Sequence, residues 1–208
     1  MEQTTIKSPP GRNASKDTAV RCRPCSTRQQ MILALWPTIQ DLLKTFPASQ
    51  QVQITNNADR VFFSDSPTLS DVRRLYGRSA VKAWLVAQLV NISEFCGART
   101  KITDTQAIEL AELICGEYFF LKLPEFMLFC RRFKCGRYRQ FYGSVDPIAI
   151  MASVREFLAE RNGAYFRHEN EMNQRRAEED SAAWQFIRQA TDEYSMLSRE
   201  QEQQIKRE

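Results

Sequence analysis

Helix-start signals set ahead of apolar residues at three- and four-residue spacing constrain this chain of 208 residues more than any other feature. Ser26 with Gln29 and Thr103 with Gln106 have the form of capping boxes, in which two side chains three residues apart satisfy free backbone N–H groups reciprocally. After Ser26, the residues Ile32, Leu35, Trp36, Ile39, Leu42, Leu43 and Phe46 keep helical spacing up to Pro47, which predicts one amphipathic helix. Ser66-Pro67-Thr68 opens a short helix from Thr68 to Tyr76, Gly77 ends it, and a longer helix runs from Ser79 to about Phe95. Val81, Trp84, Leu85, Leu89 and Ile92 form one face of the longer helix while Val86 and Val90 widen it, as expected of a central, buried helix.

The second half of the chain repeats the pattern. Thr103 opens a helix carrying Ile108, Leu110, Ala111, Ile114, Cys115, Tyr118 and Phe119, all assigned to the core. Pro124 starts a compact helix through Phe133 that Cys135-Gly136 closes, and Asp146-Pro147 starts the last one as cap and first helical residue. Ile148, Met151, Val154 and Leu158 give that helix a packing stripe, but large apolar residues nearly vanish from Phe166 to Ala183, so this part is expected to leave the body. Trp184, Ile187, Ala190, Tyr194 and Leu197 then revive the stripe. One stretch departs from helical spacing: Gln51 to Thr55 and Arg60 to Phe63 alternate weakly around Asn56-Asn57-Ala58-Asp59, which suits a small β-hairpin. The expected class is all-α, a single compact helical domain with room for that hairpin. Residues 1–25 form a disordered basic arm, 26–165 the helical core domain and 166–208 a charged C-terminal helical extension.

Charge is uneven along the chain. The net charge is only +4, too mild to name a partner, so its placement carries more information. Residues 126–145 hold six aromatics (Phe126, Phe129, Phe133, Tyr138, Phe141 and Tyr142) and five bases (Arg131, Arg132, Lys134, Arg137 and Arg139) with no acid. The first reading of this stretch is a nucleic-acid contact, with the bases on phosphates and Tyr138 or Tyr142 stacked on a base. The second is structural: Arg131, Arg132 and Lys134 complement the negative end of their helix, Phe126, Phe129 and Phe133 fill the core, and Arg137 to Tyr142 form an ordered connection; a third is a protein-binding surface. A helix-turn-helix is disfavoured because Glu125, Phe126 and Met127 occupy the end that would meet DNA.

Catalytic and metal chemistry find little support. The single histidine, His168, lies in a polar run where a solvated surface position is expected, and no G-x-S-x-G, P-loop, G-x-G-x-x-G or H-E-x-x-H is present. Glu109, Glu112 and Glu117 fall on a helix at ordinary solvent-facing spacing. Cys22-x-x-Cys25 has the spacing of half a zinc site, but a structural zinc wants four ligands and the sequence offers only His168 and scattered cysteines besides, so no metal, cofactor or catalytic residue is assigned. The six cysteines fit reduced, buried thiols. Neither a secretory leader nor a run of eighteen apolar residues is found, which sets a cytoplasmic location and no membrane partner as the expectation.

Two runs carry a resemblance: Leu75-Tyr76-Gly77 with Ala80-Val81-Lys82-Ala83-Trp84-Leu85, and Arg132-Phe133-Lys134-Cys135-Gly136-Arg137-Tyr138 continuing through Phe141-Tyr142-Gly143-Ser144-Val145-Asp146-Pro147. With Arg155-Glu156-Phe157-Leu158 and Arg161-Asn162, the chain over about residues 68–163 resembles an uncharacterised helical family abundant in Bacteroidetes chromosomes, conjugative elements and phages. The resemblance implies a role near DNA replication or transfer and no particular activity; Cys22, Cys25 and the Trp184 segment lie outside it. In helix order and size the domain is also similar to small phage helicase loaders, as fold analogy alone. The expectation is a non-catalytic accessory of a mobile element or phage-like system, with Arg131, Arg132, Lys134, Arg137, Tyr138, Arg139 and Tyr142 as candidate DNA contacts. The alternative is a protein adaptor that uses Trp184, Ile187, Tyr194 and Leu197 to pair with itself or with a partner helix, without nucleic acid.

Overall fold

The computed structural model describes residues 26–138, 141 and 143–205, apart from the side chains of 197, 198 and 200–205. The expectations for the arm 1–25 with Cys22 and Cys25, for Arg139 and Tyr142, and for the Leu197 side chain lie outside the described residues. What is described is helical, as the spacing predicts. Extended pairing among the described residues is confined to the isolated bridges Thr68 to Lys122 and Thr100 to Ser144. No helix among them is long and apolar enough to cross a membrane.

Helix α1 (Thr27–Leu35) starts at the Ser26–Gln29 capping box, and α2 (Ile39–Thr45) starts at a box formed by Thr38 and Asp41. The single helix expected from Ser26 to Phe46 is therefore two. Pro37 lacks an N–H and disfavours helical geometry in the residue before it, and Trp36 accordingly leaves the helical region at φ −132°, ψ 82°. The expected hairpin is also absent: its strands are the short helices α3 (Gln51–Ile54) and α4 (Ala58–Phe63). Asn57 caps α4 by accepting from the Arg60 N–H at 3.0 Å. The neighbours Val61 and Phe62 are both buried, whereas successive strand residues face opposite sides of a sheet.

Helix α5 (Leu69–Tyr76) begins at a Thr68–Asp71 capping box and stops at Gly77, from which α6 (Arg78–Phe95) starts at once. Gly77 takes φ +93° and ψ 163°, a region nearly closed to residues with a side chain. Helices α7 (Asp104–Glu117), α8 (Leu123–Lys134) and α9 (Pro147–Ile205) complete the order. Helix α6 packs on α5, α7 and α8, α8 also meets α3 and α4, and α9 lies against α4, α7 and α8. Every residue of α8 from Leu123 to Cys130 is buried. Around it runs a chain of rings: Trp84 to Phe126 at 5.9 Å, Phe126 to Phe129 at 5.5 Å, and Phe129 to Phe157 of α9 at 5.9 Å. Each such ring stabilises the fold by about 1.5–3 kcal/mol through burial.

Three core assignments are corrected. Ile108 and Phe119 are exposed, and Ile148 is exposed at the start of α9, where Ile150, Val154 and Phe157 form the buried stripe instead. Apolar spacing marks a face of a helix, but its edges reach solvent wherever no neighbouring element covers them.

The polar ties between elements follow one scheme, in which long side chains of the core helices satisfy carbonyls at the C-terminal ends of the short ones. The Trp84 indole donates to the Phe46 carbonyl at 2.8 Å, and the Tyr76 hydroxyl donates to the Trp36 carbonyl. Lys122 donates to the Phe62 and Ser64 carbonyls at 2.6 and 2.7 Å. From the loop that follows α6, Lys101 donates to the Ser93 and Glu94 carbonyls at the end of α6 itself (3.0 and 3.1 Å).

Gly77 gives the first test. A Cβ there would meet no neighbour within 4 Å, so the cost of Gly77→Ala comes from backbone strain alone. Urea denaturation should show a loss of about 1–3 kcal/mol, and unchanged stability would mean that the α5–α6 turn has another geometry.

Candidate functional site

The basic segment at the end of α8 folds inward. Arg131 donates to the carbonyl of Thr55, the C-cap of α3. The Lys134 ammonium donates to Gln51 Oε1 at 2.7 Å and to Asn91 Oδ1, and lies 5.4 Å above the Phe95 ring. Burial pushes the Lys134 pKa down from the ordinary lysine value. Arg132 and Arg137 each take one oxygen of the same carboxylate, Glu160 of α9, at 2.8 and 3.0 Å. Arg132 also lies over the Phe62 and Phe157 rings at 5.7 and 5.8 Å.

Tyr138 is buried, and its ring stacks on Phe129 at 5.8 Å. That position removes it from reach of a nucleic-acid base. Its hydroxyl has no hydrogen-bond partner within bonding distance among the described residues, and burial, with Glu160's charge adding to it, raises its pKa to about 12. Of the seven residues proposed from sequence as DNA contacts, Arg131, Arg132, Lys134, Arg137 and Tyr138 are thus brought together around α8 by internal contacts. Only Arg137 among these five is exposed. No sequence signal names Glu160 as the shared acid, because α8 and α9 come together only in the fold.

A second polar cluster ties α8 to α9. Glu125, fully buried, accepts from the Arg161 guanidinium at 2.8 Å and from the Lys122 backbone N–H at 2.9 Å, and its Oε1 lies 2.9 Å from the Tyr165 hydroxyl. Arg161 in turn stacks over the Tyr165 ring at 4.4 Å. Burial, followed by the Glu125 charge, raises the Tyr165 pKa to about 12. Burial lowers the Lys122 pKa from the ordinary lysine value. A buried carboxylate with this many donors holds elements in register. Sequence reading takes Glu125 only as an acid at a helix start, although its place three residues after Lys122 marks it as a capping residue.

The candidate partner-binding residues lie elsewhere. His168, at the edge of the body, stacks on Phe63 at 4.0 Å, and beyond it α9 continues alone to Ile205. Trp184 is 67% exposed, Ile187 51% and Tyr194 76%. At about 100° per residue these three fall within about 80° of arc on one side of the helix. Phe186 and Met196 are also exposed, about 120° and 160° round the helix from the middle of that arc. Leu197 continues the spacing in sequence.

Two measurements check the structural role of the basic segment. Arg131→Met and Lys134→Met should each lower stability in urea by about 1–3 kcal/mol, because each leaves buried acceptors without a donor. Tyr138→Phe should leave stability unchanged or raise it, since it removes an unpaired hydroxyl. The two raised tyrosines also set a pH window. A pKa higher in the folded chain than the ordinary value of about 10 means stability that is complete below pH ~10 and lost as pH rises toward about 12. Melting temperature followed across that range, with tyrosinate absorbance alongside, should show both falling stability and late ionisation; early ionisation of all tyrosines would contradict the burial of these two.

No curated protein and no solved structure matches the chain. A family model, described as "Family of unknown function (DUF6633)", matches residues 101–205. The match runs through the Trp184 segment, which the sequence resemblance places outside the shared region, and it takes in α7, α8 and all of α9. With half of its length matched in this way, the chain belongs to that family of unknown function.

Proposed function

We propose that the protein is a non-catalytic adaptor that binds a protein partner through the far half of α9. The observation that carries this reading is the exposed stripe of Trp184, Ile187 and Tyr194 on a helix that has left the body. An isolated helix gains little stability by itself and usually draws it from packing of an apolar face, and large exposed apolar side chains on one face mark interaction sites. The remaining surface of this segment selects the partner. Residues 169–205 carry nine acids and four bases, so two copies of the segment repel while a partner helix with basic flanks is attracted.

The resemblance to a family of Bacteroidetes chromosomes and mobile elements supports placing this adaptor in a complex that handles DNA. In that setting the partner makes the nucleic-acid contacts, and Arg131, Arg132, Lys134 and Arg137 serve the fold of the adaptor itself.

The test compares the full chain with the Trp184→Ala, Ile187→Glu, Tyr194→Ala triple variant. Melting temperatures should agree closely, because all three side chains are solvent-exposed, while a partner recovered by affinity capture with the wild type is lost with the variant. Equal recovery by both would sink the proposal. Light scattering of the wild type at low salt should give a monomer; a dimer that the triple variant abolishes would replace the heterologous partner by a second copy.

A further inference from the structure

Two hollows of about 310 and 330 Å³ adjoin on one side of α8 and share Ala58, Arg132 and Arg137 in their walls. Arg131 lines the first and Arg167 of α9 the second, together with Asp59 and Glu160. Four guanidinium groups therefore face two carboxylates.

The arginines are not equally committed. Glu160 holds Arg132 and Arg137. Arg131 is half-buried and is held by a main-chain oxygen, that of Thr55, so one of its five N–H donors is used there without any charge being neutralised. Arg167 lies back along α9, where its guanidinium passes 3.4 Å from the position a Cβ on Gly163 would take. The wall thus carries a surplus of two positive charges, presented as planar forks of N–H donors.

We propose that this cleft binds a dianionic phosphate group carried by a small molecule. Guanidinium forks match phosphate oxygens in spacing and direction, and a dianion neutralises the surplus. A phosphodiester backbone fits less well, with one charge per phosphate and with Tyr138 stacked inside the core and unavailable to a base. Glu160 fixes Arg132 and Arg137 and is the group with which the phosphate competes. The proposal is independent of the α9 stripe, which lies beyond the body.

The test is titration calorimetry of the full chain with inorganic phosphate and with pyrophosphate, against chloride at equal ionic strength. Saturable binding is expected for phosphate. Arg167→Ala should weaken it by about tenfold, or ~1.4 kcal/mol, with an unchanged melting temperature in the absence of phosphate, because Arg167 is exposed. Glu160→Gln, which removes the competing charge and keeps the shape, should tighten it. No saturable heat with either anion, or equal affinity in Arg167→Ala, overturns the proposal. A single-stranded oligonucleotide without terminal phosphate forms the second arm: binding it while ignoring both anions would assign the cleft to a nucleic-acid backbone and overturn the small-ligand reading.

Discussion

Long polar side chains that satisfy helix-end carbonyls hold the elements of this fold in place. The N-terminal third is divided into short helices, each of which ends with carbonyl groups that have no partner inside the helix. Tyr76 of α5, Trp84 of α6, Lys122 at the start of α8 and Arg131 near its end reach those carbonyls. The donor in each case belongs to an element distant in sequence, so the same bond that completes one helix also fixes its position against another.

This scheme explains why a strongly basic helix can sit at the centre of the domain. Helix α8 is buried over most of its length, and its bases emerge where α3, α6 and α9 offer carbonyl, amide and carboxylate oxygens. Its acidic end is treated in the same way, with Glu125 surrounded by Arg161, Tyr165 and the Lys122 N–H. Helix α9 is bound to the body at both of these points, by Glu160 at one and by Arg161 and Tyr165 at the other. The free part of the helix begins just after them, so the exposed stripe is carried on a firmly anchored base.

Much of the fold is legible in the sequence because its signals are local. Thr68, Thr103 and Asp146-Pro147 mark helix starts through bonds made within a few residues, and Gly77 marks a stop because its positive φ excludes other residues. Pro37 carries an equally local signal, masked by apolar spacing that runs across it. The short α3 and α4 read as strands because four to six residues are too few to establish a period. For the candidate site, the exposed stripe of α9 is visible as an apolar run after a polar one. The destination of the basic segment is not, since both of its readings use the same residues.

The helical class, most helix boundaries and the long C-terminal extension are written locally in the chain, because capping, proline, glycine and apolar spacing act over one or two turns. What the charges do is set by the packing of helices that are distant in the chain. Arg132, Arg137 and Glu160 are brought together across more than twenty residues, and Arg131 meets Thr55 across a still longer separation. Whether a base contacts a ligand or a carbonyl depends on which oxygen lies within about 3 Å of it, and chain spacing does not encode that distance until the helices have packed.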